Sequence, residues 1–419
     1  MTRWQRWSWP YFSYDYFSLA RFDACVNILT SATRPRCREM ARIAVVGGGP
    51  AGLLFAKLAK RDDPTHEVDV FEQNPRGATY GFGVVLADVA LDILAGVDPD
   101  LREAIAAVAE FQDRITIIHQ GVEIVLKGNG FMGISRVKLL DAMQRNAEAA
   151  GARLHFDARV GDAASLRDYD MVVGADGVGS AVRTGLNDHF QATREARRNK
   201  WVWYATTKRL DAVGLIFQST EHGTFIAHSY RFSPDLGTFV IECSPETWRS
   251  AGLDVMSEEE SRSFCADVFR DYLDGHPLVS NRSSWFNPEF VTSRHWHHAN
   301  VVLIGDALKT VHPSIGSGTR VGMQDAIALA SALHACGGDV AETFVAFERS
   351  RRGGAGEFQD AAMKSIIWYE TVDDRMHLEP VPFAYDYMMR TGRVSHERLR
   401  RIDPAFASLA ESHQLIGAA

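Results

Sequence analysis

Cysteine is scarce: there are five in 419 residues, Cys25, Cys37, Cys243, Cys265 and Cys336, and no C-x-x-C pair. That dispersal offers neither a disulfide framework nor a zinc site and points to a reduced, cytoplasmic protein. No uninterrupted apolar stretch is long enough for a signal peptide or a membrane span, so neither export nor a membrane is implied. An excess of positive charge is missing too. The 45 lysines and arginines face 53 acids, and the net charge of −8 argues against an electrostatic nucleic-acid binder. There is no H-E-x-x-H, no local serine–histidine–aspartate or cysteine–histidine motif and no paired-carboxylate constellation, so no metal is expected and the side chains do not announce the reaction. Repeats and low-complexity tracts are absent as well. What is present, 46% hydrophobic and 23% charged residues over this length, allows roughly two or three domains around a sizeable core.

The first 39 residues interleave aromatics, Trp4, Trp7 and Trp9 among them, with polar and basic residues. Met40-Ala-Arg-Ile reads as a natural beginning, so 1–39 are expected to be an extension, disordered or not native, outside the fold. Immediately after it, Ile43 to Val46 form a short apolar run, followed by Gly47-Gly48-Gly49-Pro50-Ala51-Gly52 and a helically spaced Leu53 to Ala59. This is strand, glycine turn, helix. Gly47 permits the tight turn, Gly49 lets the backbone approach a pyrophosphate, and Gly52 lets helix pack on strand, with the helix N-terminus stabilising the phosphate. Glu67 to Glu72 read as the second strand and place Glu72 20 residues past Gly52, where a carboxylate accepts hydrogen bonds from ribose hydroxyls.

Gly128-Asn-Gly130-Phe-Met-Gly133 fits the same G-x-G-x-x-G pattern. It has Phe131 and Met132 where the helix should open with small residues, and no acid closes a strand at the required distance, so a second dinucleotide site is not expected there. Two further strand ends matter more. Met171-Val-Val-Gly174-Ala-Asp176-Gly177 is an apolar strand entering a glycine–aspartate turn, and Asn300 to Ile304 lead into Gly305-Asp306-Ala307 and then His312-Pro313 and Gly316-Ser317-Gly318-Thr319. An aspartate at a strand end, followed by glycines at a helix start, suits a ribose and a flat electron-accepting ring.

Together, in the order GxGxxG, GADG and GD, these motifs resemble the class A flavoprotein aromatic hydroxylases, whose fold is that of para-hydroxybenzoate hydroxylase. The resemblance runs from about Met40 to about Pro404. It is closer to the branch that acts on CoA thioesters, the salicylyl-CoA 5-hydroxylases and the monooxygenase half of anthraniloyl-CoA monooxygenase. The strings that carry it include Gly133-Ile-Ser-Arg136, Glu221 to Tyr230, Thr238 to Cys243, His297 to Asp306 and Ser314 to Arg320. The indole-pathway hydroxylase of violacein biosynthesis is similar in the same segments, including Trp203-Tyr204. Leu308-Lys309 stands where the family usually has alanine and histidine. Because the chain ends at Ala419, the old-yellow-enzyme domain of anthraniloyl-CoA monooxygenase, and ring reduction with it, is not expected.

The resemblance implies an α/β fold: a Rossmann-like FAD-binding domain with an inserted antiparallel-sheet substrate domain and C-terminal helices. The expected division is 40–180 and 290–335 for FAD, 181–289 for the substrate and 336–419 for the helical region, with the Arg351–Gly356 stretch interrupting the helical spacing from Val340 to Thr371. The implied activity is a single-component monooxygenase: transiently bound NADH or NADPH reduces FAD, oxygen adds at C4a, and the hydroperoxide hydroxylates an aromatic ring. Protein contributes positioning, tuning and exclusion of water. Gly47, Gly49, Ala51, Gly52, Glu72, Arg136, Asp176, Asp306, Gly316, Gly318 and Thr319 are expected to hold FAD. Pro313 lies in the loop beside the flavin ring, and His312, His228 and Tyr230 are candidates to hydrogen-bond a phenol or amine on the substrate. Trp203, Phe225 and Phe239 could stack on that ring, and Arg197 and Arg198, from a basic run, could receive CoA phosphates. O2 and an aromatic small molecule are the expected partners of a monomer or homodimer. An indole-type hydroxylase and a flavin-binding or prenyl-group carrier without oxygen chemistry are the alternatives.

Overall fold

A computed structural model describes residues 40–78, 81–128 and 130–415. The extension assigned to 1–39 lies outside the described residues. Three expected strands, Arg42–Val46, Met171–Gly174 and Val301–Leu303, are neighbours in a six-stranded sheet that continues through Glu67–Phe71 to Arg153–His155. They are parallel, and their registers align Val46 with Gly174 and Gly174 with Leu303. Every apolar residue of these three strands is buried, as expected for strands covered on both faces. Helices Pro50–Asp62 and Gly318–Ala335 pack together over this sheet. A Cβ on Gly52 would stand 2.2 Å from Gly47 O, so only glycine lets the first helix sit this close.

The second layer is a seven-stranded sheet in which Lys200–Thr206, Gly237–Cys243, Gly223–Arg231 and Val213–Thr220 are successive antiparallel neighbours. Leu278–Val279, antiparallel to Lys200–Thr206 at one edge, and Ile115–His119 with Val122–Leu126 at the other complete it, Ile115–His119 lying parallel to Val213–Thr220. Two strands of the 40–180 segment thus belong to the sheet expected from 181–289, and the division by chain position does not follow the layers. The Gly128–Gly133 match ends in Phe131–Ser135, a strand pairing with Gly83–Ala87 and Ala109–Gln112. With no helix opening at its third glycine, that segment lacks the phosphate-binding turn.

Val340–Glu370 is one 31-residue helix, so the glycines at 353, 354 and 356 do not interrupt it. Its middle is fixed by tertiary contacts: Phe347 and Ala355 are buried, and Arg351 ion-pairs with the buried Asp325 at 3.0 Å. Such packing outweighs a helix penalty of about 1 kcal/mol per glycine. Pro380–Met389, His396–Ile402 and Pro404–Ser412 follow, closing a core with Phe217 and Leu215 from the large sheet. No described helix is long and apolar enough to cross a membrane.

Candidate active site

The aligned strand ends converge in space because each hands its last hydrogen bond to the next. Gly47 N–H donates to Phe71 O (2.8 Å), Ala175 N–H to Val46 O (2.8 Å) and Ile304 N–H to Gly174 O (3.0 Å). Gly47 turns at φ 112°, and a Cβ there would meet Ala175 O at 2.3 Å. Gly49 is different: nothing lies within 4 Å of where its Cβ would be, and it heads a helix whose first turn receives no side-chain cap. Gly318–Ala335 likewise starts without a side-chain cap, since Ser317 Oγ donates back to Ile315 O at 3.0 Å. Two helix N-termini with unused amides are suited to a diphosphate and to negative charge on a ring.

Glu72 stands just beyond its strand. Its Oε2 accepts from Gly48 N–H (2.9 Å) and its Oε1 from the backbone and side chain of Asn74 (2.9 and 2.7 Å), which fixes the carboxylate beside the glycine turn. A Cβ added to Gly305 or Gly322 would come within 3.3 or 3.4 Å of Ala51 Cβ, so these two glycines let the two helices and the third strand end approach closely at Ala51. Asp176 Oδ2 accepts from Ala181 and Val182 N–H groups, whereas its Oδ1 is buried without a hydrogen-bond partner. Arg183, 1% exposed, donates to Ala307 O at 2.8 Å and so ties the GADG turn to the GD turn.

Asp306 lies deep in the molecule, yet its carboxylate keeps solvent contact through a cleft of about 470 Å³. Burial lifts its pKa to about 6, with Arg136 and Lys309 pulling the other way. Lys309, at the position where a histidine is usual, bonds Asp325 at 2.5 Å, and Asp325 also accepts from Gly305 N–H at 3.1 Å. The departure therefore builds a buried Lys309–Asp325–Arg351 ion triad beneath the Asp306 turn.

The cleft runs from Arg136, Asp306 and the Pro313 to Arg320 loop to the large sheet, where Trp201, Trp203, His228, Tyr230 and Val240 face it. Arg136, Pro313, Gly316, Gly318 and Thr319 are thus brought together with Trp203, His228 and Tyr230. Strand alternation explains which aromatic residues join them. Trp203 pairs with Val240 and His228 with Val240, all on the cleft face. Phe225 and Phe239 project to the other face and are fully buried against Phe269 and Cys265, so they are core and not substrate contacts.

His228 Nε2 is 2.7 Å from Oε1 of the fully buried Glu242, whose Oε2 accepts from Asn199 Nδ2 at 3.0 Å. The ring also stacks on Trp201, with centroids 5.2 Å apart. Tyr230 OH donates to Gly83 O at 2.9 Å, and burial pushes its pKa up to about 12. His312 does not line the cleft. It is 5% exposed, edge-on to Trp201, and its Nδ1 accepts from Ser314 N–H at 3.3 Å. Burial, with His228 and Arg197 nearby, lowers its pKa to about 3, so the ring is neutral and supports the loop from behind. Arg197 and Arg198 also stand off the cleft wall: Arg197 pairs with Glu370 at 2.9 Å and Arg198 with Glu246 at 2.8 Å. Glu242, Lys309, Asp325 and a set of C-terminal arginines are site residues that local motifs did not reveal. Glu242 was legible only as a charge at an inward position of a strand.

An α/β sheet with three converging strand ends, two uncapped helix starts and an aromatic-walled cleft defines a dinucleotide-dependent enzyme whose redox group faces a hydrophobic substrate chamber. The described residues fit FAD: Gly49 leaves room for the diphosphate, Glu72 awaits a ribose, and Asp176 and Asp306 offer acceptor oxygens. The chain belongs to the FAD binding domain family, whose profile matches residues 40–343. It is 38% identical over 360 residues to the salicyloyl-CoA 5-hydroxylase of a Streptomyces species, covering 84% of this chain and 70% of that protein. Identity to the protodeoxyviolaceinate monooxygenase of Chromobacterium violaceum is 34% (83% and 94% covered). Identity to a 3-hydroxy-4-methyl-anthranilyl-[aryl-carrier protein] 5-monooxygenase of Streptosporangium sibiricum is 32% (80% and 90% covered). Among solved structures, the tetrameric form of 2-methyl-3-hydroxypyridine-5-carboxylic acid oxygenase shares the fold, with TM-score 0.67 at 17% identity over 85% of this chain and 98% of that one. The protein is an FAD-dependent aromatic-ring monooxygenase.

Proposed function

We propose that the enzyme hydroxylates an aromatic ring presented as an acyl thioester, of the salicylyl-CoA or anthraniloyl-CoA type, using NADH or NADPH as a transient reductant, in the cytoplasm. The observation that carries this reading is the single cleft joining the Pro313–Thr319 loop to the wall of Trp201, Trp203, His228 and Val240. When bound, FAD supplies the activation of oxygen. Gly49, Glu72, Arg136, Asp306 and the Gly318 helix start would hold it.

The chain's own residues do the rest. Trp203, Val240 and Leu215 bury the ring and exclude water, which strengthens every polar contact inside. His228, oriented by Glu242, offers its other ring nitrogen to a hydroxyl or amino group on the substrate, and Tyr230 is committed to Gly83 O and shapes the wall. Two of the relatives carry their aryl group on CoA or on a carrier protein, which supports the thioester reading. The relative from the violacein pathway supports an indole-type substrate as the second reading.

Purified enzyme with salicylyl-CoA or anthraniloyl-CoA should consume NAD(P)H and release a product heavier by one oxygen atom. Free salicylate or anthranilate should be a poor substitute, because remote binding energy that organises the site is lost. Equal or better turnover of free acids or indoles would refute the thioester.

A further inference from the structure

Arg390 follows directly on the helix Pro380–Met389 and lines the cleft half-buried, beside Tyr387 and Met388. It donates from Nε to Ser365 Oγ (3.1 Å), from Nη1 to Tyr387 O (2.9 Å) and from Nη2 to Ser314 O (3.4 Å), and its Cζ lies 3.8 Å from the Tyr387 ring centroid. Every partner of Arg390 among the described residues is neutral. A guanidinium has five N–H groups, so Nη1 and Nη2 each keep one for a further acceptor. Bonding Tyr387 O is the usual task of an arginine at a helix end. The other two bonds go beyond it.

Those two tie the cation to the loop that begins at Pro313. The fully buried Ser365 Oγ is 3.0 Å from Ser314 Oγ, which is 2.9 Å from His312 Nδ1. With the neutral His312 ring accepting at Nδ1, the two hydroxyls align in one direction from Arg390 to His312. This chain gives His312 its place behind the loop and fixes the guanidinium against Ser314, itself a cleft residue. Tyr369 relates Arg390 to the sheet wall: its ring centroid is 5.8 Å from Arg390 Cζ and 5.2 Å from that of His228. Tyr369 is buried behind the cleft, whereas Arg390 and His228 both line it, so the two polar groups adjoin one ring and lie near enough for one substrate to meet both. An arginine held in this way is pre-organised, and a ligand meets it without having to order a long side chain.

We propose that Arg390 is a substrate-binding residue that donates to the acyl oxygen of the aroyl group, while His228 holds the hydroxyl or amino group on the neighbouring ring carbon. This deepens the thioester reading above and rests on it. In such a substrate the acyl oxygen is the polar atom closest to the ring apart from the ring's own substituent, and a cation fixed beside the Pro313 loop is placed to meet it. A charge-assisted bond to that oxygen is stronger than one from a neutral donor. Holding the ring at two points also fixes which of its carbons faces the loop, because a ring held at one point turns about it. A plain indole offers no acyl oxygen, so Arg390 discriminates between the two substrate readings.

Calorimetric titration of the purified, FAD-loaded enzyme without NAD(P)H tests this in the absence of turnover. The ligands are salicylyl-CoA and S-(2-hydroxybenzyl)-CoA, in which a methylene replaces the carbonyl. Wild type should bind the thioester at least about tenfold more tightly, the factor expected of a hydrogen bond from a charged donor. Arg390→Gln should bind the two about equally, with FAD content and melting temperature unchanged, and Arg390→Lys should recover part of the preference. Salicylate and 2-hydroxybenzyl alcohol repeat the comparison on free rings. Wild-type enzyme that does not distinguish the members of either pair refutes the inference without any variant, and so does a preference that survives in Arg390→Gln. Loss of FAD from Arg390→Gln at an unchanged melting temperature would assign the residue to the cofactor and overturn the inference as well. An Arg390-dependent preference within the free pair, with neither CoA ligand bound, would uphold the inference and refute the thioester. Hydroxylation of salicylyl-CoA by an enzyme with no carbonyl preference would refute the inference and leave the proposed function standing.

Discussion

Replacing Asp306 by asparagine isolates a charge at the base of the cleft. In the ligand-free protein its carboxyl titrates near 6, because burial opposes ionisation more than Arg136 and Lys309 favour it. A carboxylate that accepts hydroxyl hydrogen bonds from the ribityl or ribose of FAD must be ionised, so binding lowers its pKa. The sign follows: protons compete with FAD, and affinity falls as pH drops through about 6, by at most about tenfold per pH unit. A hydrogen bond to a charged group contributes about 1.5–3 kcal/mol, or roughly ten- to a hundredfold in affinity. Asp306→Asn should therefore weaken FAD by that factor at pH 8 and flatten the pH profile. His312, with its pKa near 3, stays neutral throughout and does not contribute to the slope. Fluorescence-quenching titrations of apoprotein with FAD between pH 5 and 8 measure both effects. Wild-type affinity that is flat across this range, together with an unchanged affinity in the variant, would refute the assignment.

Tyr230→Phe deletes the donor to Gly83 O (2.9 Å) and leaves a carbonyl without its partner; calorimetry should show a loss of about 1–3 kcal/mol with FAD still bound. Asp325→Ala strands Lys309 and Arg351 in the interior, and breaking such a network should cost about 3–5 kcal/mol and weaken FAD retention by releasing Gly305; a melting temperature equal to wild type would contradict the triad's role. Glu242→Gln removes the charge that orients His228, so kcat should fall and its pH profile shift while FAD affinity is unchanged, with Glu242→Asp recovering part of the rate. An identical pH profile would show the pair to be packing alone.

Much of the cofactor half was legible before any coordinates, because its determinants are local. Gly47 turns at a positive φ and Gly52 must clear the Gly47 carbonyl five residues back, both conditions of the local turn, and apolar strands such as Ile43 to Val46 declare their burial by composition. Three strands of the large sheet, Lys200–Thr206, Gly223–Arg231 and Gly237–Cys243, fall where β-branched and aromatic residues cluster and alternate. Alternation states that two faces differ. It does not say which face meets the substrate.

Only the tertiary structure decided that. Helix Glu258–Val268 and Phe269 cover the face bearing Phe225 and Phe239, which turns Trp203, His228 and Tyr230 toward the cleft. Likewise the basic run at Arg197 is matched by Glu370, 173 residues away, while Arg390, Arg393 and Arg398, which line the cleft, come from a part of the chain near the C-terminus that shares no motif with the cofactor turns. His312 adjoins the flavin-side loop in sequence, yet it is buried edge-on against Trp201, itself part of the chamber's aromatic wall, and does not line the cleft. Backbone conformation at a glycine turn is a short-range steric matter. Counter-ions, burial and the facing of a side chain depend on residues brought together across the whole chain, and those fix charge and access in the site.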